Sequence, residues 1–232
     1  MRFVSVIQHT SADYLGLMED HLEGRGIRFK YYRPFTEGNV LPEPGEIGDG
    51  LILLGGGPWG TAGGRDLPSL AREVSLTYAA LMMAKPVIGL ELGAQILALA
   101  ADGKSEPAPL ALDLCFATRT AENALGGFLP ERFPYASYMR DYPVPPDYAR
   151  VLARDERDRP ALFQIGDNAF GFSFHPGFKP AIAEDLVMEF EDYPPDAPAG
   201  LEKLRGLKSG IEDALVPLMT GLIAATNLMG LG

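Results

Sequence analysis

Cysteine is nearly missing from this chain of 232 residues. The single one, Cys115, leaves no intrachain disulfide to form and suits a reducing compartment, the cytoplasm. Histidine is almost as scarce. His9, His21 and His175 stand far apart, no cluster has metal-ligand spacing, and no glycine-rich loop matches a phosphate-binding pattern, so neither metal nor cofactor is expected. Basic residues are outnumbered, 20 Lys and Arg against 31 Asp and Glu, for a formal net charge of −11. A phosphate backbone or an anionic lipid surface repels such a chain, which argues against nucleic acid and membrane as partners. The N-terminus turns polar after Gln8, too early for a signal peptide. Long uncharged runs are absent until residues 214–232. There Pro217, Thr220, Gly221, Thr226, Asn227 and Gly230 dilute the apolar character, which favours a buried or interface helix over a membrane span.

What is present is an alternation of two periods. Residues 3–7 (FVSVI), 27–32, 51–54 (LILL) and 86–90 read as strands, the third a continuous apolar run of the kind a parallel sheet buries on both faces. Between them, residues 11–24 carry Tyr14, Leu15, Leu17, Met18 and Leu22 at helical spacing, and 67–84 and 94–101 also read as helices. Residues 36–48 form a loop. Beyond residue 105 the pattern loosens. Cys115 sits in an apolar strand (LALDLCFA), and residues 151–153, 161–165 and 169–174 read as short strands with Gly166, Asp167 and Asn168 as a turn. A helix is expected over 182–191, a proline-rich loop over 193–200 and mostly helix over 201–232. Strands alternating with helices imply a parallel α/β sheet.

Three segments then stand in a telling order. Gly55-Gly56-Gly57-Pro58 follows a buried strand. Gly89-Leu90-Glu91-Leu92-Gly93-Ala94-Gln95 joins a strand to a helix. Gly171-Phe172-Ser173-Phe174-His175-Pro176 closes the series, preceded by Gln164-Ile165-Gly166-Asp167. Together they resemble the oxyanion-strand loop, the nucleophile elbow and the catalytic-histidine strand of the class I glutamine amidotransferase family, over residues 3–190. The resemblance implies a flavodoxin-like three-layer α/β sandwich with a mainly parallel central sheet, a domain over residues 1–192 and a C-terminal helical extension over 193–232.

The departures carry as much information. Where the family has its cysteine nucleophile this chain has Glu91, and where it has a glutamate that orients the histidine this chain has Gly177. Of the three positions only His175 keeps its residue. A thiolate attacks the glutamine amide and histidine moves the proton. A carboxylate ionised by a helix N-terminus is a poor nucleophile for an amide, and its bulk fills the amide's place. By analogy the backbone amides of Gly56 and Leu92 would face this carboxylate, and Glu91 would pair with His175 and raise its pKa. Gly57, Trp59, Gln95 and Tyr138 complete the expected ligand-binding set. The implied protein is a pseudoenzyme that does not hydrolyse glutamine and acts as a partner-binding, regulatory or ligand-binding subunit, its ligand a small carboxylate or amide. The alternative is an enzyme of altered chemistry using Glu91 and His175 as an acid/base or carboxylate-nucleophile pair. His9 stands at the C-terminal end of the first strand, where α/β sheets bind ligands, although a loop histidine without a role is the better reading. The stretch Tyr135, Tyr138, Arg140, Asp141 and Tyr142 suggests a pocket wall or a partner surface.

The C-terminal segment lies beyond the family core. Ser209 and Glu212 match a capping box, and Ile211, Leu215, Leu218, Leu222, Ala225 and Leu228 draw one apolar stripe, widened by Met219, Ile223 and Met229. The expectation is a helix over 210–229 that docks on a second copy or another subunit, so that a chain cut after Leu207 folds but changes its association state. Packing on its own domain is the alternative, in which case the cut chain does not fold.

Overall fold

The computed structural model describes residues 2–38 and 40–230; Leu231 and Gly232, the last of the expected extension, lie outside them. The apolar runs become strands β1 (Arg2–Ile7), β2 (Ile27–Tyr32), β3 (Gly50–Leu53) and β4 (Val87–Leu90). The second half supplies β5 (Lys104–Glu106), β6 (Ala111–Arg119), β7 (Arg132–Met139), β8 (Tyr142–Val144), β9 (Arg150–Asp155), β10 (Pro160–Ile165) and β11 (Ala169–Phe172). Among the described residues nine of these form one sheet, in the order β2-β1-β3-β4-β11-β10-β9-β6-β7. The first five are parallel, and β10, β9, β6 and β7 continue the sheet antiparallel. Strands β5 and β8 pair in a small separate ribbon.

Side-chain alternation places helices on both faces. Val4, Val6, Ile52, Leu54, Ile88 and Leu90 point to one face and meet Leu15, α1 (Met18–Glu23) and the long α5 (Ala197–Thr226). Ile7, Leu51, Leu53 and Val87 point to the other and meet α2 (Leu70–Met82) and α3 (Leu92–Ala100). Helix α4 (Pro180–Glu189) and the start of α5 cover Leu112, Ala136 and Tyr138 at the antiparallel end. This is the expected flavodoxin-like three-layer sandwich. No helix of the described chain is long and apolar enough to cross a membrane.

Three local expectations are corrected. Residues 11–17 are not helical; the helix begins only at Met18, because the backbone before it is held by tertiary partners. Ser209 and Glu212 do not cap a helix: α5 starts twelve residues earlier than Ser209, at Ala197, and runs through both. The stripe over 210–229 faces largely inward, with Ala225 and Met229 left exposed. Ile211, Leu215, Leu218, Met219, Leu222, Ile223 and Leu228 are buried in the chain's own core, because strands β6 and β7 extend the sheet and need a cover. Gly221 lets α5 lie against the turn at Leu125 and Phe128, where a Cβ would come within 2.5 Å of the Leu125 carbonyl oxygen.

Candidate functional site

The site is built where the parallel strands end. Strand β4 runs into α3 through Glu91, whose backbone is strained (φ 52°, ψ −108°), a conformation that costs on the order of 1–3 kcal/mol in a non-glycine residue. The turn is sharp because α3 sits hard against the sheet. A Cβ on Gly93 would strike the Leu53 backbone and one on Gly89 would strike the backbone at Gly93, which explains the Gly-x-Glu-x-Gly spacing. The Glu91 amide donates to Phe172 O at 2.7 Å, tying the elbow to β11.

The Glu91 side chain is fully buried. It makes no capping bond to α3. Its Oε1 accepts the Tyr138 backbone N–H at 2.6 Å, and its Oε2 has no hydrogen-bond partner. That oxygen faces Asp13: a Cβ on Gly55 would overlap both Asp13 Oδ2 and Glu91 Oε2. Asp13 is also fully buried, and neither of its oxygens has a partner. Burial and the Asp13 charge push the Glu91 carboxyl well above the ordinary range, against the Tyr138 N–H. Burial likewise pushes Asp13 up to about 7, with His9 opposing and Glu189 adding to the rise. The expected ionised Glu91 is thus corrected: desolvation and a second carboxylate outweigh the helix end.

His175 does not pair with Glu91. Its Nε2 donates to Tyr14 O at 2.7 Å and lies 3.9 Å from Asp13 Oδ1; its Nδ1 is unpartnered. Burial lowers its pKa to about 4, opposed by the Tyr14 carbonyl. The expected rise is corrected, because a backbone carbonyl stands where a carboxylate was expected. The imidazole is therefore neutral at physiological pH, with its proton on Nε2.

Gly177 has a positive reason to be glycine. A Cβ there would lie 2.8 Å from Leu15 O and Met18 N and 3.0 Å from Leu17 N, all backbone. The 11–17 segment rests in that space, with the Leu17 amide donating to Gly177 O at 3.0 Å. Gly177→Glu is therefore expected to lower stability by about 1–3 kcal/mol through overpacking alone, read as a fall in the urea midpoint. An unchanged midpoint would show that the segment moves aside freely.

The remaining expected residues divide. Gly56 packs on the Leu92 side chain, and Gly57, at φ +56°, packs on Leu186 and Phe190. Neither the Gly56 nor the Leu92 amide takes the Glu91 carboxylate; Tyr138 N does. Gln95 is a brace: its Oε1 accepts the Thr61 hydroxyl at 2.8 Å and its Nε2 donates to Arg140 O at 2.7 Å. Trp59 stands apart under the Arg65 guanidinium, 4.7 Å from its ring centre, and lines a cavity of about 70 Å³ with His9, Phe35 and Ser69. Sequence reasoning missed Asp13 and Tyr14 as site residues, and missed Glu73 and Ser69 behind His9. A signal was there: Thr10, Ser11 and Asp13 are turn formers, and the Asp13 amide donates to Thr10 Oγ1 at 3.1 Å. Among the described residues no group of His, Cys, Asp and Glu is arranged to hold a metal ion.

No family model matches this chain. A component of the glutamine-hydrolysing GMP synthase from Ignicoccus hospitalis, one of that enzyme's subunits, is 29% identical over 160 residues, which span 68% of this chain and 80% of that protein. Two crystal structures share the fold. A glutamine amidotransferase from Methylobacillus flagellatus superposes with a TM-score of 0.80 at 22% identity, covering 99% of this chain and 95% of that one. One from Thermotoga maritima gives 0.80 at 23%, covering 97% and 98%. The strand order, the strained elbow at Glu91 and these likenesses together give the chain the fold of the glutamine amidotransferases.

Proposed function

We propose that this domain does not hydrolyse glutamine and works as a binding or regulatory component of a larger assembly, a pseudoenzyme of the amidotransferase fold. The observation that carries the reading is the buried Glu91 carboxyl at the tip of the elbow, closed off by Tyr138 N and Asp13. Amide hydrolysis at an elbow needs a thiolate there and a histidine free to take its proton. Here the tip offers a carboxyl group, and the His175 Nε2 proton is donated to the Tyr14 carbonyl rather than to an orienting carboxylate. The alternative, an acid/base pair of Glu91 and His175, lacks support, since among the described residues the only carboxylate oxygen within 4 Å of a His175 ring nitrogen is that of Asp13.

The role in an assembly rests on the relative's name, that of a synthase subunit. The protein partner, or a small carboxylate or amide ligand, would meet the loops at the strand ends, where α/β sheets bind. Residues 193–232 are read as an addition that covers the 1–192 domain.

Purified protein is expected to release no ammonia from glutamine above the buffer blank, and an electrophilic glutamine analogue to leave the mass of the peptide holding residue 91 unchanged. Glu91→Cys alone is expected to restore nothing, because Tyr14 O still holds His175. Ammonia release by wild type, or an adduct on Glu91, overturns the reading.

A further inference from the structure

Residues 11–17 differ from an ordinary surface loop. They enter the space between the elbow and His175 and are fastened on every side. The Ser11 and Ala12 amides donate to the Glu189 carboxylate at 3.4 and 3.0 Å. The Leu15 amide donates to Tyr31 Oη at 3.1 Å, the Leu17 amide to Gly177 O, and Tyr14 O receives His175 Nε2. At the centre of this frame Asp13 brings a carboxyl group against that of Glu91, with three of their four oxygens unpartnered and both side chains fully buried.

Two buried carboxylates that flank the same point beside Gly55 resist being ionised together. Their repulsion and the loss of hydration are relieved when one proton is shared across the gap. We propose that residues 11–17 are a self-inhibitory plug of the elbow pocket, held shut by one proton shared between Asp13 and Glu91 and released when that proton leaves to water. The groups that face the pair set the threshold. His9, at the end of β1 and backed by Glu73 of α2, favours an ionised Asp13. Glu189, at the end of α4, disfavours it. His175 is neutral, and Tyr138 N favours an ionised Glu91.

The sign follows from the raised carboxyl pKa values. The folded protein holds a proton that the unfolded chain gives up near pH 4, so the plug is fully held below that pH and loosens as pH rises through about 7. Glu91→Gln and Asp13→Asn each replace the shared proton by an amide N–H that cannot leave in this range, so the plug stays shut.

Amide hydrogen exchange of the full chain, corrected for intrinsic rates, tests this at pH 5.5 and 8.5. In wild type the protection of the peptide spanning residues 10–17 should fall at least tenfold at the higher pH, and in both variants it should not change. A pH-independent wild type, or the same fall in both variants, overturns the proposal. Should a variant fail to fold, the infrared spectrum of wild type decides. A protonated carboxylic-acid band at pH 5.5 that vanishes on alkalinisation supports the shared proton, and its absence at pH 5.5 overturns it. Neither readout involves glutamine, so failure here leaves the non-hydrolytic reading standing.

Discussion

A chain cut after Leu207 is expected to fail to fold. The cut removes Ile211, Leu215, Leu218, Met219, Leu222, Ile223 and Leu228, all buried, most in the same core cluster as Val4 of β1 and Phe172 of β11. Burial of one such side chain is worth about 1.5–3 kcal/mol, so the loss runs to roughly 10 kcal/mol or more. The net stability of a domain is about 5–15 kcal/mol. The cut would also bare the apolar faces of β6 and β7. This reverses what the amphipathic stripe alone suggests, a domain that stays folded and only changes its association. Circular dichroism and light scattering on the truncated chain check it. A cooperative thermal transition from a monodisperse truncated protein would show that the α/β core stands without α5.

The second large effect is expected at Glu73. His9 Nδ1 lies 2.9 Å from Gly55 O, an acceptor, so that nitrogen carries a hydrogen. Its Nε2 lies 2.7 Å from Glu73 Oε2, and Glu73 Oε1 accepts the Ser69 hydroxyl at 2.6 Å. Both side chains are fully buried. Burial works against charge on His9, but the Glu73 carboxylate and the Gly55 carbonyl raise its pKa above the ordinary value. Stability from that raised pKa is present in full below the unfolded value of about 6.5 and is lost as pH rises through the folded one. Removing one partner of a buried pair costs about 3–5 kcal/mol. Glu73→Ala should therefore lower stability by that amount, and by more at pH 5.5 than at pH 8.5, because the bereft imidazole must shed its proton to stay buried. Urea unfolding at both pH values measures it. Equal losses at the two would show that His9 is neutral in the wild type.

Much of the parallel half was legible. The β-branched run at 3–7 and the unbroken apolar run at 51–54 can only satisfy their faces in a sheet covered on both sides, and they became β1 and β3. Gly89 and Gly93 announced a close approach of helix and strand, and the structure explains both by overlap with backbone. The strained elbow followed from that approach. Residues 11–17 misled because Tyr14, Leu15, Leu17 and Met18 satisfy helical spacing equally well. What straightened them was a set of bonds to Tyr31, Gly177 and Glu189. Those partners lie up to 178 residues away, where no local pattern can register them.

The same distinction separates what the sequence determined alone from what tertiary structure decided. Local chemistry was enough for the layers, the elbow and the identity of the residue at its tip, because periodicity and glycine act within a few residues of themselves. Which group met which was decided in three dimensions. Glu91 faces Asp13 rather than His175 because Gly177 admits the 11–17 segment between them. The apolar stripe of α5 faces inward because β6 and β7 extend the sheet past the parallel strands and leave apolar area that α5 covers. A stripe records that a helix must be covered; only the packed chain determines by what.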